Sequence, residues 1–215
     1  MFRGTLSANV TAYRIVNNNQ AQVIQQYLGN GLNPSYNANF PSAQELAGQV
    51  TSKGVEVDVQ SRPVNGISLI AGYSYNHTTY TRSTLYADGS RLRYNPAHTA
   101  NLSLYYSFAN LFVDSNLLRG LSAGATGYYV GERLGGRNPR LLYDQAGNLL
   151  TDANKYLAVP NYVLFDASLG YAYERFSIRL KMSNLLNVLS YNLHDDNSIN
   201  PIAPRTFAAT LSYKL

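Results

Sequence analysis
The sequence predicts an all-β protein, a transmembrane antiparallel β-barrel with about eight strands present. Three observations carry this. In the last stretch, Arg205–Leu215, Phe207, Ala209, Leu211, Tyr213 and Leu215 alternate with Thr206, Ala208, Thr210, Ser212 and Lys214. Period-two alternation gives a strand one apolar and one polar face, and the length suits the roughly 9–11 residues with which a tilted strand crosses a bilayer. The connections between such segments are by turns long and short, the rhythm of extracellular loops and periplasmic turns. Finally, 19 tyrosines stand against 7 phenylalanines and no tryptophan. Tyrosine suits the membrane–water boundary, because its ring meets acyl chains while its hydroxyl meets headgroups. A soluble barrel or sandwich would also alternate. It would leave unexplained a chain that finishes on an apolar strand, whose open edge invites pairing with other chains. In a barrel the last strand closes on another and the edge disappears.

Composition narrows function by exclusion. The 215 residues suffice for one domain, and the absence of cysteine removes disulfide frameworks and thiolate metal sites. No apolar run approaches the roughly 18 residues of a membrane helix. The mean hydropathy of -0.22 fits a barrel with a polar lumen and a soluble protein equally. The net charge of +5 is not gathered into runs of Lys or Arg. That argues against nucleic acid and leaves lumenal acids and anionic lipid headgroups as partners. No cofactor or metal is expected, and no enzyme activity. Met1–Leu6 lacks the charged-then-apolar plan of a secretory signal. The expectation is that a signal has been removed or that the chain is part of a longer one.

In chain order, Leu6, Ala8, Val10 and Ala12 mark a first strand over residues 3–16. Asn17–Ala47 is polar, with Pro34 and Pro41, and reads as a long extracellular loop without structure of its own. Gly48–Arg62 alternates Val55, Val57 and Val59 with Glu56, Asp58 and Gln60. Pro63-Val64-Asn65-Gly66 is a hairpin signal. Ile67, Leu69, Ala71, Tyr73 and Tyr75 follow, in a strand ending near Tyr80. Thr81–Arg93 reads as a second loop, and Ala100–Phe108 as a fourth strand. Ala109–Leu118 is a connection of moderate length before a Gly- and Tyr-rich strand at 119–133. Leu134–Ala158 is the third long loop. Val163–Tyr173 and Phe176–Met182 form a hairpin about Glu174-Arg175, and Ser190–Pro204 leads to the closing strand. Parity puts both termini on the periplasmic side.

Charges on the lumenal face avoid hydrocarbon, whereas on the lipid face they cost a few kcal/mol near mid-depth. Glu56, Asp58, Asp166, Arg179, Lys181 and Lys214 all fall opposite the apolar residues of their strands. They read as lumen-lining groups for an internal partner or a hydrated solute, or as solvated polar faces with no specific partner. His194-Asp195-Asp196 reads as a solvated loop, since neighbours in an extended chain point apart. Gly135-Gly136-Arg137 lacks the strand-to-helix context of a phosphate loop.

Several local patterns resemble the C-terminal barrel of TonB-dependent receptors, most closely the siderophore-receptor branch. Ser52-Lys53-Gly54-Val55-Glu56-Val57-Asp58 resembles a Gly-x-Glu strand opening, followed by Arg62–Gly66 and Gly72-Tyr73-Ser74-Tyr75. Asn95-Pro96-Ala97-His98 is similar to a Pro-x-His strand start, and Tyr129–Arg133 to a strand end. Asn184-Leu185-Leu186-Asn187 is similar to the penultimate-strand motif, with Leu186 replacing Phe. Pro204–Phe207 with the alternating tail resembles the last strand, with Leu215 where Phe is usual. The resemblance implies the C-terminal segment of a barrel of about 22 strands, here without plug domain or TonB box. It implies an outer-membrane protein of a Gram-negative bacterium that takes up ferric siderophores as a monomer, reaching the TonB complex through the missing N-terminal region. It also implies that loop aromatics and arginines, Tyr86, Arg133, Arg137, Arg140 and Tyr143, meet an anionic iron chelate. The alternative is a self-contained barrel of about eight strands, an anchor or adhesin.

Overall fold
The computed structural model describes residues 5–194 and 198–215. Eight long strands form one antiparallel sheet in which every strand pairs with its sequence neighbours. They are β1 (Leu6–Val23), β2 (Gln44–Ser61), β3 (Ile67–Arg82), β4 (His98–Ser107), β5 (Leu121–Val130), β6 (Tyr162–Tyr173), β7 (Phe176–Ser183) and β8 (Thr206–Tyr213). Asp195 and Asp196 lie outside the described residues. Among the described residues no ladder joins β1 to β8, so the sheet has two open edges.

Register converts alternation into two continuous surfaces. One row reads Val10, Val57, Tyr73, Ala100, Tyr129 and Val163 across β1 to β6. Another runs Leu69, Leu104, Ala125, Ala167, Met182 and Phe207 from β3 to β8. The opposite face carries Asn9, Asp58, Gly72 and Asn101 in one row and Thr11, Glu56, Ser74 and Thr99 in the next. Burial is sparse: among the described residues the buried apolar side chains are Val50 and Val159. Phe207 and Leu211 are each 74% exposed and Leu169 62%. A contiguous apolar face of this extent marks an interaction surface.

The turn at Pro63–Ile67 bears out the hairpin signal. Asn65 (φ 50°) and Gly66 (φ 87°) are both left-handed, as a type I′ turn requires, and Val64 and Ile67 exchange two backbone bonds of 2.9 Å. A side chain at Gly66 would also press on the carbonyl oxygen of Ser107. The two-residue connection Glu174–Arg175 holds Glu174 at φ 49°.

Where the strands leave the apolar belt, the structure departs from the sequence-based expectation. β1 continues to Val23 rather than stopping at Val16, and β2 begins at Gln44, with Gln20 paired to Gly48 and Gln22 to Glu45 across two irregularities. Above the belt polar residues such as Asn17, Asn18, Asn19, Gln20 and Gln22 occupy both faces, so the two-residue period vanishes while the ladder persists. The long loops also carry short ladders: Tyr27–Leu28 with Gly31–Leu32, Arg133–Gly136 with Tyr156–Val159, Leu142–Tyr143 with Leu149–Leu150, and Tyr191–Leu193 with Ile199–Pro201. At the other end, Phe108–Asn110 and Leu118–Gly120 are 3-10 turns, so β4 ends at Ser107 and β5 spans only Leu121–Val130.

Candidate functional site
The candidate site is the loop end of the sheet, where hydrogen bonds stitch the loops together. Gln22, 4% exposed, bridges the first loop to the second: its Nε2 donates to Ser83 Oγ (2.8 Å), and its Oε1 accepts from the Thr84 amide (3.1 Å). Gln25 Nε2 donates to the Thr84 carbonyl at 2.6 Å. The second loop meets the third through Leu141 N to Leu85 O and Tyr94 N to Leu134 O, both 2.8 Å. Asn138, 3% exposed, donates to the Arg91 carbonyl at 3.2 Å, and Arg93 donates to the Gly136 carbonyl. The third loop returns to the first where Gly147 (φ 84°) abuts the Gly29 carbonyl. A Cβ there would lie 2.6 Å from that oxygen, so the approach requires glycine.

The predicted loop residues divide. Arg133 is 5% exposed. Its Nη1 donates to the Tyr191 carbonyl (3.0 Å), its Nη2 to Pro160 (3.1 Å) and Ser190 Oγ (3.4 Å), and the guanidinium stacks 4.8 Å from the Tyr162 ring. It is a clamp between the third and fourth loops, and its burial leaves little room for the ligand contact expected of it. Arg140 is exposed but engaged by Asp152, with Nε and Nη2 at 3.0 Å and its own amide at 2.7 Å. Hydrogen bonding from Arg140 holds the Asp152 carboxyl well below the usual carboxylate range. Arg137 is exposed, and its amide donates to the Lys155 carbonyl (3.0 Å). Tyr143 lies against Gly29.

Tyr86 sits where these elements converge. Its ring is 4.6 Å from that of Tyr80, and it lies near enough to Arg140 and Tyr156 to add a minor part to the upward shift of each. Tyr156 hydrogen-bonds Ser90, with Arg91 and Arg93 in its vicinity, and burial pushes its phenol above the ordinary value. Tyr80 and Tyr86 are in ring contact, with Tyr156 and Arg93 in their vicinity, while Arg91 is paired with Glu132 at 3.9 Å and Arg140 with Asp152 at 3.0 Å. The sequence identified Tyr86 and Arg140. It gave no sign of Tyr156, which lies on a short loop strand, or of Arg91 and Arg93, which follow Asp88-Gly89 in a stretch read as a plain loop.

On the sheet, Glu56, Asp58, Asp166, Arg179 and Lys181 all fall on the polar face, as parity requires. Asp166 is satisfied locally, accepting from Ser183 Oγ (3.2 Å), the Asn184 amide (3.0 Å) and Lys181 Nζ (3.0 Å). Asn184 is the keystone of its motif. It is 4% exposed with φ 50°, donates to the Val188 and Ala203 carbonyls, and accepts from the Val188 amide at 2.8 Å. Near the turn end, Arg179 and Arg119 line a polar hollow of about 560 Å³ with Ser122, Ser177 and Ser212. Among the described residues no group of three His, Cys, Asp or Glu is placed to hold a metal.

Comparison with known proteins agrees with this architecture. The family model for the TonB dependent receptor-like β-barrel matches residues 1–185. The metal-pseudopaline receptor CntO of Pseudomonas aeruginosa is 34% identical over 95 residues, covering 44% of this chain and 13% of that receptor. The ferrioxamine B receptor of Salmonella typhimurium is 29% identical over 124 residues, 58% of this chain and 15% of that receptor. The structure of P. aeruginosa FpvA bound to heterologous pyoverdines superposes with a TM-score of 0.73 at 18% identity, over 98% of this chain and 25% of FpvA. The chain therefore spans a small part of the length of its relatives, about a quarter in that solved case. With the apolar belt, the polar opposite face and the family match over residues 1–185 in agreement, this chain belongs to the TonB-dependent receptor β-barrel family of the Gram-negative outer membrane.

Proposed function
We propose that the protein to which this chain contributes imports ferric siderophores or similar metal chelates, energised by the TonB complex through a region N-terminal to these residues. The observation that carries this reading is the group of tyrosines and arginines at the joined loops, Tyr80, Tyr86, Tyr156, Arg91 and Arg93. Ferric siderophores are commonly anionic and rich in oxygen acceptors. Arginines bind such groups by charge-assisted hydrogen bonds, and tyrosines add flat contact area with a hydroxyl donor. The relatives' names, receptors for ferrioxamine B and metal–pseudopaline, support the substrate class. Tyr86, Arg137, Arg140 and Tyr143 are proposed as ligand contacts, joined by Arg91, Arg93 and Tyr156. Glu56, Asp58, Arg179 and Lys181 are proposed to face the barrel lumen, and Val57, Leu169 and Leu211 to face lipid. The chain is proposed to supply C-terminal strands of a larger monomeric barrel, because both sheet edges are open where a self-contained barrel would join β1 to β8.

Iron-restricted growth of a strain deleted for the receptor tests this, with hydroxamate, catecholate and carboxylate ferric chelates supplied singly. Uptake of labelled iron from one class should be lost, return with the wild-type gene, and return only weakly with Arg91→Ala/Arg93→Ala. Undiminished uptake from every class in the deletion strain would overturn the proposal.

A further inference from the structure
Arg14 on β1 stands directly opposite Lys53 on β2, and Lys53 stands opposite His77 on β3. Parity places all three on the apolar face, with Val10, Val57 and Tyr73. The row below them is Ala12–Val55–Tyr75 and the row above is Val16–Thr51–Thr79. No carboxylate shares that face across these rows, since Glu56 and Asp58 project from the other side. Arg14 and Lys53 are exposed, and among the described residues neither makes an ion pair. Like charges directly across an antiparallel ladder repel. Tyr73 and Tyr75 fix the depth, because Tyr73 bonds His98 Nδ1 at 2.8 Å and the Tyr75 ring lies 5.0 Å from that of His98. Tyrosines of this kind mark the edge of the hydrocarbon. The basic row begins one step beyond them, towards the loops.

We propose that Arg14 and Lys53, flanked by His77, form an external site for the phosphate of a lipid headgroup in the leaflet on the loop side. The site rests on the reading of the apolar face as lipid-facing. A phosphate seated between the two cations removes their repulsion: the guanidinium presents paired donors and the ammonium a compact charge. The site lies on the opposite side of the sheet from Glu56 and Asp58 and is separate from the chelate path. It gives the barrel a fixed register against an anionic headgroup layer.

The test uses the intact receptor in detergent, titrated with diphosphorylated lipid A, dephosphorylated lipid A or inorganic phosphate, with bound lipid read by native mass spectrometry. Arg14→Gln/Lys53→Gln should weaken retention of the phosphorylated lipid by about 25-fold, roughly fivefold per charge removed. The charge-preserving pair Arg14→Lys/Lys53→Arg should retain most of it. Unchanged binding in the Gln pair, equal loss of the dephosphorylated lipid, or displacement by inorganic phosphate at equal concentration would each overturn the site. A nitroxide at Val10→Cys, in a chain without native cysteine, separates the two levels of inference. A label in hydrocarbon with no charge-dependent lipid binding overturns this site alone, whereas a label in water overturns the lipid-facing reading and the site together.

Discussion
Val57 and Glu56 are neighbours in sequence and face opposite ways, because Val57 pairs with Val10 and Tyr73 while Glu56 pairs with Thr11 and Ser74. Val57→Arg should therefore cost about 1 kcal/mol of assembly free energy in bilayers, the cost near an interface, since Tyr73 beside it lies close to the hydrocarbon edge, and Glu56→Arg far less. Refolding titrations into lipid vesicles measure both. In the loops, Arg133→Ala leaves the Tyr191 and Pro160 carbonyls and Ser190 without their donor. Hydrogen exchange across residues 188–193 should accelerate, by an amount equivalent to about 1.5–3 kcal/mol of lost protection. The Arg140–Asp152 contact gives a pH prediction. Because the folded carboxyl is held below its ordinary value, its stabilisation is complete above about pH 4–5 and is lost only as pH falls beneath that range. Protection of the Arg140 amide, which donates to Asp152, should be flat from neutral to mildly acid pH after correction for intrinsic rates, then collapse. In Asp152→Asn it should be low throughout. These residues also mark what the sequence could reveal. The facing of Glu56 and Asp58 followed from period two, but the burial of Arg133 did not. Its partners at Tyr191 and Ser190 are distant in sequence, and no local pattern announces them.

At the level of elements, legibility followed the membrane. Inside the apolar belt every strand was readable, because one face is apolar and the other polar, and that contrast writes alternation into the chain. Beyond the belt it fails. Asn17–Val23 and Gln44–Gln49 still pair as strand, yet side chains that pack on the neighbouring loop, such as the buried Gln22, are polar as well, so the sequence looks like loop. The short ladders within the loops, such as Tyr156 with Gly136, were invisible for the same reason. Turn chemistry was readable where it demands a special backbone: Asn65-Gly66 signalled the type I′ geometry found there. Gly66→Val should hinder assembly, since its φ of 87° disfavours a side chain and the Ser107 carbonyl blocks the space. Glu174, a non-glycine residue at φ 49°, should respond the other way. Glu174→Gly relieves about 1 kcal/mol of backbone strain, and faster refolding in the pulse-proteolysis window would register it.

For the whole molecule, the open edges at β1 and β8 and the single-layer sheet describe a wall rather than a vessel. The isolated chain should fail to form a compact, heat-modifiable species in detergent, while the intact receptor should form one. The wall has two sides, and the central claim is that one touches lipid while the other lines a wet interior. Nitroxide scanning from residue 55 to residue 60 on β2, in the intact receptor in native outer membranes, measures this directly. Accessibility to oxygen should peak at Val55, Val57 and Val59. Accessibility to a water-soluble paramagnetic chelate should peak at Glu56, Asp58 and Gln60. A profile without that alternation, or with the two probes exchanged, would contradict the account.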